Sequence, residues 1–321
     1  MPSATLIALF GPTGVGKTAV AVALADLLAA RGERPVAVSA DALQLYRGLE
    51  VLSGAADALA QTRLEHRLIG CAPVSDSFSA GRYAALAHAE IDALIHAGRR
   101  PIIVGGTGLY LRAALTDLSL KPPVDPALRA AVQARVDRDG LAHLYSELSA
   151  RRPELVATIA PGDRQRITRA LELLEAGADP TPPTQGQLWT AQTRHPTVLF
   201  GLVRERACLY ARINARVEAM VGAGVVEEVA AAAAAGAGPS AAKALGFREL
   251  LAGDVDAMKR VTRRYARRQL TWMRKLEGVQ IVSLDHRKPD EVAAEMLLSL
   301  DAASLPSRCD SRSGRPSATT T

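Results

Sequence analysis

Over its first hundred residues the chain alternates short apolar runs with stretches whose apolar positions recur at helical spacing. Thr5-Leu6-Ile7-Ala8-Leu9-Phe10 has the length and composition of a buried strand, and Val20, Leu24, Leu27 and Leu28 then repeat on one helical face until Arg31-Gly32. Pro35 to Ser39 reads as a second buried strand and Pro101 to Val104 as a third, with a helix from about Ala80 to His96 before it. Residues 51–78 are irregular apart from a brief strand candidate at His66 to Ile69. Strands alternating with helices predict an α/β core, a parallel sheet flanked by helices.

From about Thr116 the alternation stops. Pro122-Pro123, periodic stretches at 127–138, 141–151 and 163–176, and the turn-rich Asp179-Pro180-Thr181-Pro182-Pro183 predict an all-helical lobe inserted at 116–196. A strand signal returns at Thr197 to Val203, followed by helices at 206–221, 224–235, 240–252 and 256–277, a strand at Val279 to Ser283 and a helix to about Ala303. The core is therefore assigned to 1–115 with 197–305. Beyond Pro306 the composition is Ser, Arg, Gly, Thr and Pro, which predicts a disordered tail over 306–321.

Composition changes this picture little. The 321 residues suffice for a large core, and the three cysteines, Cys71, Cys208 and Cys309, stand too far apart for a C-x-x-C pair or a disulfide framework. With no basic leader and no long uninterrupted apolar stretch, a soluble cytosolic protein away from membranes is expected. The net charge of +6 matters because of where it falls. The 256–277 stretch carries Lys259, Arg260, Arg263, Arg264, Arg267, Arg268, Arg274 and Lys275 with no acid between Asp256 and Glu277. Met258, Val261, Tyr265, Trp272 and Leu276 form its apolar stripe, and Arg260, Arg264 and Arg268 share a face. Like charges at i,i+4 repel, so a one-signed face calls for an anionic partner, and a nucleic-acid backbone is the expected one.

The chemistry begins at Gly11-Pro12-Thr13-Gly14-Val15-Gly16-Lys17-Thr18. Its spacing, between a strand and a helix, is that of a phosphate-binding loop. The glycines let backbone N–H groups turn toward an anion, Lys17 reaches the outer phosphate oxygens, and the Thr18 hydroxyl faces Mg²⁺. Asp41 closes the second strand, at the sheet edge where α/β proteins bind ligands; there a carboxylate orients a metal, acts as a base or caps a turn. Gly105-Gly106-Thr107-Gly108 opens the third strand's exit at the same edge.

Five separated stretches also resemble one family. Gly11 to Thr18; Ser39-Ala40-Asp41 with Gln44 and Tyr46-Arg47-Gly48; Val104 to Tyr110; Asp163-Arg164-Gln165-Arg166-Ile167 with Arg169 to Glu172; and Thr262 to Trp272 are similar, in order, to motifs of the bacterial tRNA dimethylallyltransferases, the isopentenylpyrophosphate transferases. The resemblance implies a P-loop NTPase-like core and transfer of a dimethylallyl group from its diphosphate to the exocyclic amine of the adenosine 3′ of the anticodon, in tRNAs reading codons that begin with U. It implies Asp41 as general base, Thr13 on the diphosphate, Arg206 as a diphosphate clamp, and tRNA contacts at Asp41, Ala42, Leu43, Gln44, Thr107, Arg129, Gln165, Arg166, Ile167, Thr168 and Arg169. Mg²⁺ is the implied cofactor, dimethylallyl diphosphate and a tRNA anticodon stem-loop are the implied partners, and the working form is taken as a monomer. The chain departs from the family pattern at Ala42, where a serine is usual, at Ala56, in place of a lysine, and at Arg82, in place of an aspartate. A small-molecule kinase would share the loop and the acid after strand two, but leaves the arginine helix without a purpose.

Overall fold

The computed structural model describes residues 5–181 and 187–304. Eight strands occur among them: β1 (Leu6–Phe10), β2 (Pro35–Ser39), β3 (Tyr46–Arg47), β4 (His66–Arg67), β5 (Ala72–Pro73), β6 (Arg100–Gly105), β7 (Thr197–Val203) and β8 (Val279–Ser283). Six form one parallel sheet in the order β4-β2-β6-β1-β7-β8, and β3 pairs with β5. All five residues of β1 are buried, as a central strand covered on both faces requires. The helix Lys17–Ala30 packs against Pro289–Ser304, and the core between them and the sheet is built on Ile7, Leu9, Leu24, Phe200 and Val292.

The chain divides into two compact units. Residues up to Asp117 with those from Leu188 onward make one, and Leu118–Gln187 the other. The lobe expected at 116–196 is thus shorter at its end. Residues after Leu188 are held by the sheet unit: the Trp189 ring packs tilted against Trp272, centroids 4.4 Å apart, Arg194 pairs with Asp92 at 3.0 Å, and the Pro196 carbonyl accepts the Leu6 N–H. The second unit comprises helices Pro126–Asp139, Leu141–Arg151, Pro153–Val156 and Arg164–Glu175 around its own core of Val132, Leu144, Leu148, Ile167 and Leu171.

Two expectations change. The irregular 51–78 stretch contains helices Glu50–Ser53 and Ala58–Arg63, each too short to show a period. Both are fixed locally. Asp57 caps the second through the Ala60 N–H, and the Val51 and Leu52 N–H groups donate to the Glu228 carboxylate. The single helix read over 240–252 is instead a 3₁₀ turn at Ala241–Lys243 and a helix at Phe247–Leu251, because Gly246 takes a left-handed φ of 88°. The 306–321 tail and Pro182-Pro183 lie outside the described residues.

Candidate active site

Sheet order decides which turns meet. Because β6 lies between β1 and β2, the phosphate loop, the Gly105–Gly108 turn and Asp41 leave three adjacent strands at one edge. Gly14 and Gly16 have φ of 80° and 114°, which L side chains rarely adopt, so the loop's curl depends on them. Thr13, Gly14, Gly16, Lys17 and Thr18 line a cavity of about 580 Å³. Gly11, Pro12 and Val15 do not line it. They are buried behind the loop, where the Gly11 backbone lies against Val15 and Leu202. The Lys17 ammonium donates to the Gly11 and Pro12 carbonyls at 3.0 and 3.1 Å.

Asp41, Ala42, Leu43, Gln44 and Thr107 line the same cavity. The Asp41 Oδ1 accepts the Leu43 N–H at 3.0 Å, so the carboxylate closes its own turn while facing the cavity. Burial raises the Asp41 pKa above the usual carboxylate value, opposed by that N–H and by the charges of Lys17 and Arg216. Burial also lowers Lys17 to about 8, with Asp41 opposing. A carboxylate held ready to take a proton thus stands beside a cation that is largely charged at neutral pH.

The facing wall comes from two helices. Arg206–Gly222 buries Leu209, Ile213 and Val217 and turns Arg212 and Arg216 into the cavity. Arg212 Nε donates to the Gly14 carbonyl at 2.9 Å, and Arg216 Nη2 to the Gly54 carbonyl at 3.2 Å. A Cβ on Gly54 would sit 1.4 Å from that nitrogen, so the glycine is the berth of the guanidinium. The buried Arg216 Nε has no hydrogen-bond partner among the described residues, a vacancy suited to an anionic oxygen. Arg206, expected as the clamp, is not in the cavity. It is the exposed first residue of its helix, and the helical period carries Arg212 and Arg216 inward instead. Their signal was legible: two arginines at i,i+4 flanking the Leu209, Ile213, Val217 stripe.

Helix Val255–Met273 runs antiparallel to this one, as the pairs Arg263 to Asn214 and Lys259 to Glu218 show. Its buried face is Met258, Thr262, Ala266, Gln269 and Met273. Of the stripe expected through Met258, Val261, Tyr265, Trp272 and Leu276, Met258 and Leu276 are buried, whereas Val261, Tyr265 and Trp272 are only half-buried. Polar Thr262 and Gln269 tolerate burial because each is hydrogen-bonded, Thr262 to the Met258 carbonyl at 2.7 Å and Gln269 to both glycine turns. Tyr265 meets Thr107 Oγ1 at 3.3 Å and carries Arg268 over its ring; both line the cavity. Arg260 and Arg264 do not share that location. With Arg263, Arg267 and Tyr210 they line a second hollow of about 200 Å³.

On the lobe, Arg129 and Arg169 both pair with the buried Glu172, at 3.5 and 3.0 Å. Gln165 and Arg166 are exposed, whereas Ile167 and Thr168 are buried in the lobe core. Direct RNA contact from those last two side chains is thus a correction: the helical period that exposes 165 and 166 turns 167 and 168 inward. Of the departures, Asp57, next to Ala56, caps a helix, and Arg82 pairs with Asp76 at 2.7 Å. Among the described residues no cluster of three His, Cys, Asp or Glu could hold a metal, and no helix is long and apolar enough to cross a membrane. Thr18 and Asp41 are among the oxygen-bearing side chains that line the cavity, and such oxygens suit a hard cation whose remaining ligands come from phosphate and water.

The comparisons follow this geometry. The sequence model of the IPP transferase family matches residues 44–276. The chain is 41% identical over 285 residues to a tRNA dimethylallyltransferase of Anaeromyxobacter dehalogenans, covering 85% of this chain and 93% of that one. The crystal structure of the Bacillus halodurans tRNA isopentenylpyrophosphate transferase covers 94% of this chain and 98% of its own, with 31% identity and a TM-score of 0.65. A eukaryotic dimethylallyltransferase acting on tRNA shares the fold at 20% identity, with a TM-score of 0.76 over 96% of this chain and 82% of its own. A phosphate loop, a strand-end aspartate and an arginine-bearing helix pair around one cavity thus occur here in a chain that belongs to the IPP transferase family.

Proposed function

We propose that this enzyme transfers a dimethylallyl group from dimethylallyl diphosphate to the exocyclic N6 amine of the adenosine 3′-adjacent to the anticodon, in tRNAs reading codons that begin with U, and releases diphosphate. The observation that carries the reading is the cavity itself: a carboxylate and the phosphate loop with its cations face one space. The loop amides with Lys17, Arg212 and Arg216 hold the leaving diphosphate, Thr13 standing at the loop's entrance. As the allylic C–O bond breaks, its electrons pass to the diphosphate oxygen, where these donors stabilise the charge. The amine nitrogen bonds to the freed carbon, and Asp41 takes the proton that the amine sheds. Thr18 would hold Mg²⁺, which when bound would further neutralise the diphosphate charge.

The acceptor base must leave its stack to enter the cavity, at a cost of roughly a few kcal/mol, which an unpaired anticodon-loop base reduces. Ala42, Leu43, Gln44 and Thr107 line its approach, Arg260, Arg264 and Arg268 meet the phosphate backbone, and Gln165 and Arg166 with Arg129 and Arg169 are the contacts assigned to the lobe. The protein is read as a cytoplasmic monomer, in keeping with exposed free thiols at Cys71 and Cys208. The test is direct. Purified protein, dimethylallyl diphosphate, Mg²⁺ and unmodified tRNA should yield one nucleoside beside the anticodon heavier by one isoprene unit. An unmodified nucleoside, with ATP turned over on a small molecule instead, would replace this reading with a kinase.

A further inference from the structure

Gln269 is 4% exposed, on the buried side of the arginine helix. Its Oε1 accepts the Thr13 N–H at 2.9 Å and its Nε2 donates to the Gly106 carbonyl at 2.7 Å. Those partners belong to different turns, one following β1 and the other β6. Each turn continues directly into the chemistry. Thr13 lies four residues before Lys17, and Gly105 rests on the exit of β2 so closely that a Cβ there would come within 2.2 Å of the Ala40 carbonyl oxygen, one residue before Asp41. The Gly106 backbone is also tight against this side chain, since a Cβ there would lie 2.4 Å from Nε2. Both bonds come from one planar amide on a side chain of fixed length, so a single rotamer satisfies both turns together. Tyr265, one helical turn earlier, holds Thr107 and fixes the same strand exit a second time.

We propose that Gln269 is a positioning residue that sets the separation between the phosphate loop and the Asp41 strand end, and with it the distance from leaving group to base. The inference rests on the prenyl-transfer reading above. It differs from a packing role in what it predicts. A residue that only fills space affects melting temperature, whereas one that sets the reacting distance affects the chemical step with both substrates bound. A displacement of about 1 Å costs on the order of 10²-fold in rate.

The variants are Gln269→Met, which keeps the length and removes both hydrogen bonds, and Gln269→Asn, which keeps the amide and falls short by one methylene. Single-turnover transfer with both substrates saturating should slow by on the order of 10²-fold. Dissociation constants for dimethylallyl diphosphate and tRNA should stay within about threefold of the parent, the split between binding and chemistry that marks a transition-state effect. Should Gln269→Met fail to fold, Gln269→Asn decides alone. A rate within about threefold of the parent, or a loss confined to diphosphate affinity, overturns the assignment. A second readout separates this inference from the reading beneath it. Amide hydrogen exchange in the ligand-free variants should accelerate together at 11–18 and 105–108, whether or not the parent transfers a prenyl group. Acceleration at one turn alone overturns the linkage, and a parent without transferase activity overturns the function instead.

Discussion

The two walls of the cavity are made of different material. On the sheet side the ligand-facing groups are largely backbone: curled N–H groups at Gly14 and Gly16 and the glycine turn after β6, with Lys17 and Asp41 added at strand ends. On the helix side they are side chains, Arg212, Arg216, Tyr265, Arg268 and Gln269, projecting from two antiparallel helices. Backbone donors need unusual φ values, so they leave a compact glycine signature in the sequence. Side-chain donors need only a helical phase, which many residues satisfy. The first wall can therefore be found by motif, and the second only where an apolar stripe, such as Leu209, Ile213 and Val217, gives away the rotation of the helix.

The comparison makes the largest demand at Asp41, where the two walls face each other. Asp41→Asn keeps the turn bond to Leu43 and removes the basicity, so single-turnover transfer should fall by on the order of 10²- to 10⁴-fold while diphosphate binding holds. A rate within about threefold of the parent would leave Asp41 as a turn residue. Next comes the clamp. Arg216→Gln removes a charge-assisted donor worth about 1.5 to 3 kcal/mol, so diphosphate affinity should weaken about 10- to 100-fold, whereas Arg206→Gln should change it less than about twofold. Equal losses in a titration of the two variants would return Arg206 to the site and break the contrast drawn here.

A pH series sharpens the same contrast. On the proposed mechanism Lys17 binds diphosphate as the ammonium and Asp41 acts as the anion, so with the Lys17 pKa lowered to about 8 by burial, affinity should fall as pH rises through that value, by up to about tenfold per unit. Asp41 works as the anion, and burial raises its pKa, so the rate should fall on the acid side, beginning above the ordinary carboxylate range. Lys17→Met should abolish the alkaline limb and leave the acid one; an alkaline limb that persists would assign it elsewhere. The smallest effect is expected in the second hollow. Arg264→Gln should flatten the slope of log tRNA affinity against log salt by up to about one unit, with diphosphate binding unchanged. An unaltered slope would make that arginine structural.

The order of strands and helices was largely readable, because β1 is wholly apolar, β2 and β6 are short runs with apolar centres, and Leu141–Arg151 has a strong period. What escaped was phase. The arginine helix contains enough apolar residues for two stripes, and the sequence favours Val261, Tyr265 and Trp272 over the face that is buried, since that face includes Thr262 and Gln269. Those two are polar, and burial of Gln269 is tolerable because of two partners far along the chain, the Thr13 N–H 256 residues away and the Gly106 carbonyl 163 residues away. Arg206 misled for a related reason. It stands next to the N-cap Glu205, where a residue is set by the strand exit, while the cavity is reached one and a half to three turns further along. On the lobe, Arg129 and Arg169, the tRNA contacts that the resemblance implies, both already share Glu172.

The resting position of Lys17 bears on how a catalytic cycle ends. Its ammonium is already bonded to the Gly11 and Pro12 carbonyls, so an arriving diphosphate meets a lysine with one of its three N–H donors left and gains the others only as those internal bonds yield. The loop thus offers less net affinity than its charge suggests, and those carbonyls remain available as competitors throughout. When the prenyl group has moved to the acceptor, the spent diphosphate leaves by exchange, with the lysine returning to its own backbone as the phosphate oxygens depart. On the proposed mechanism, product release then leaves no bare buried ammonium behind.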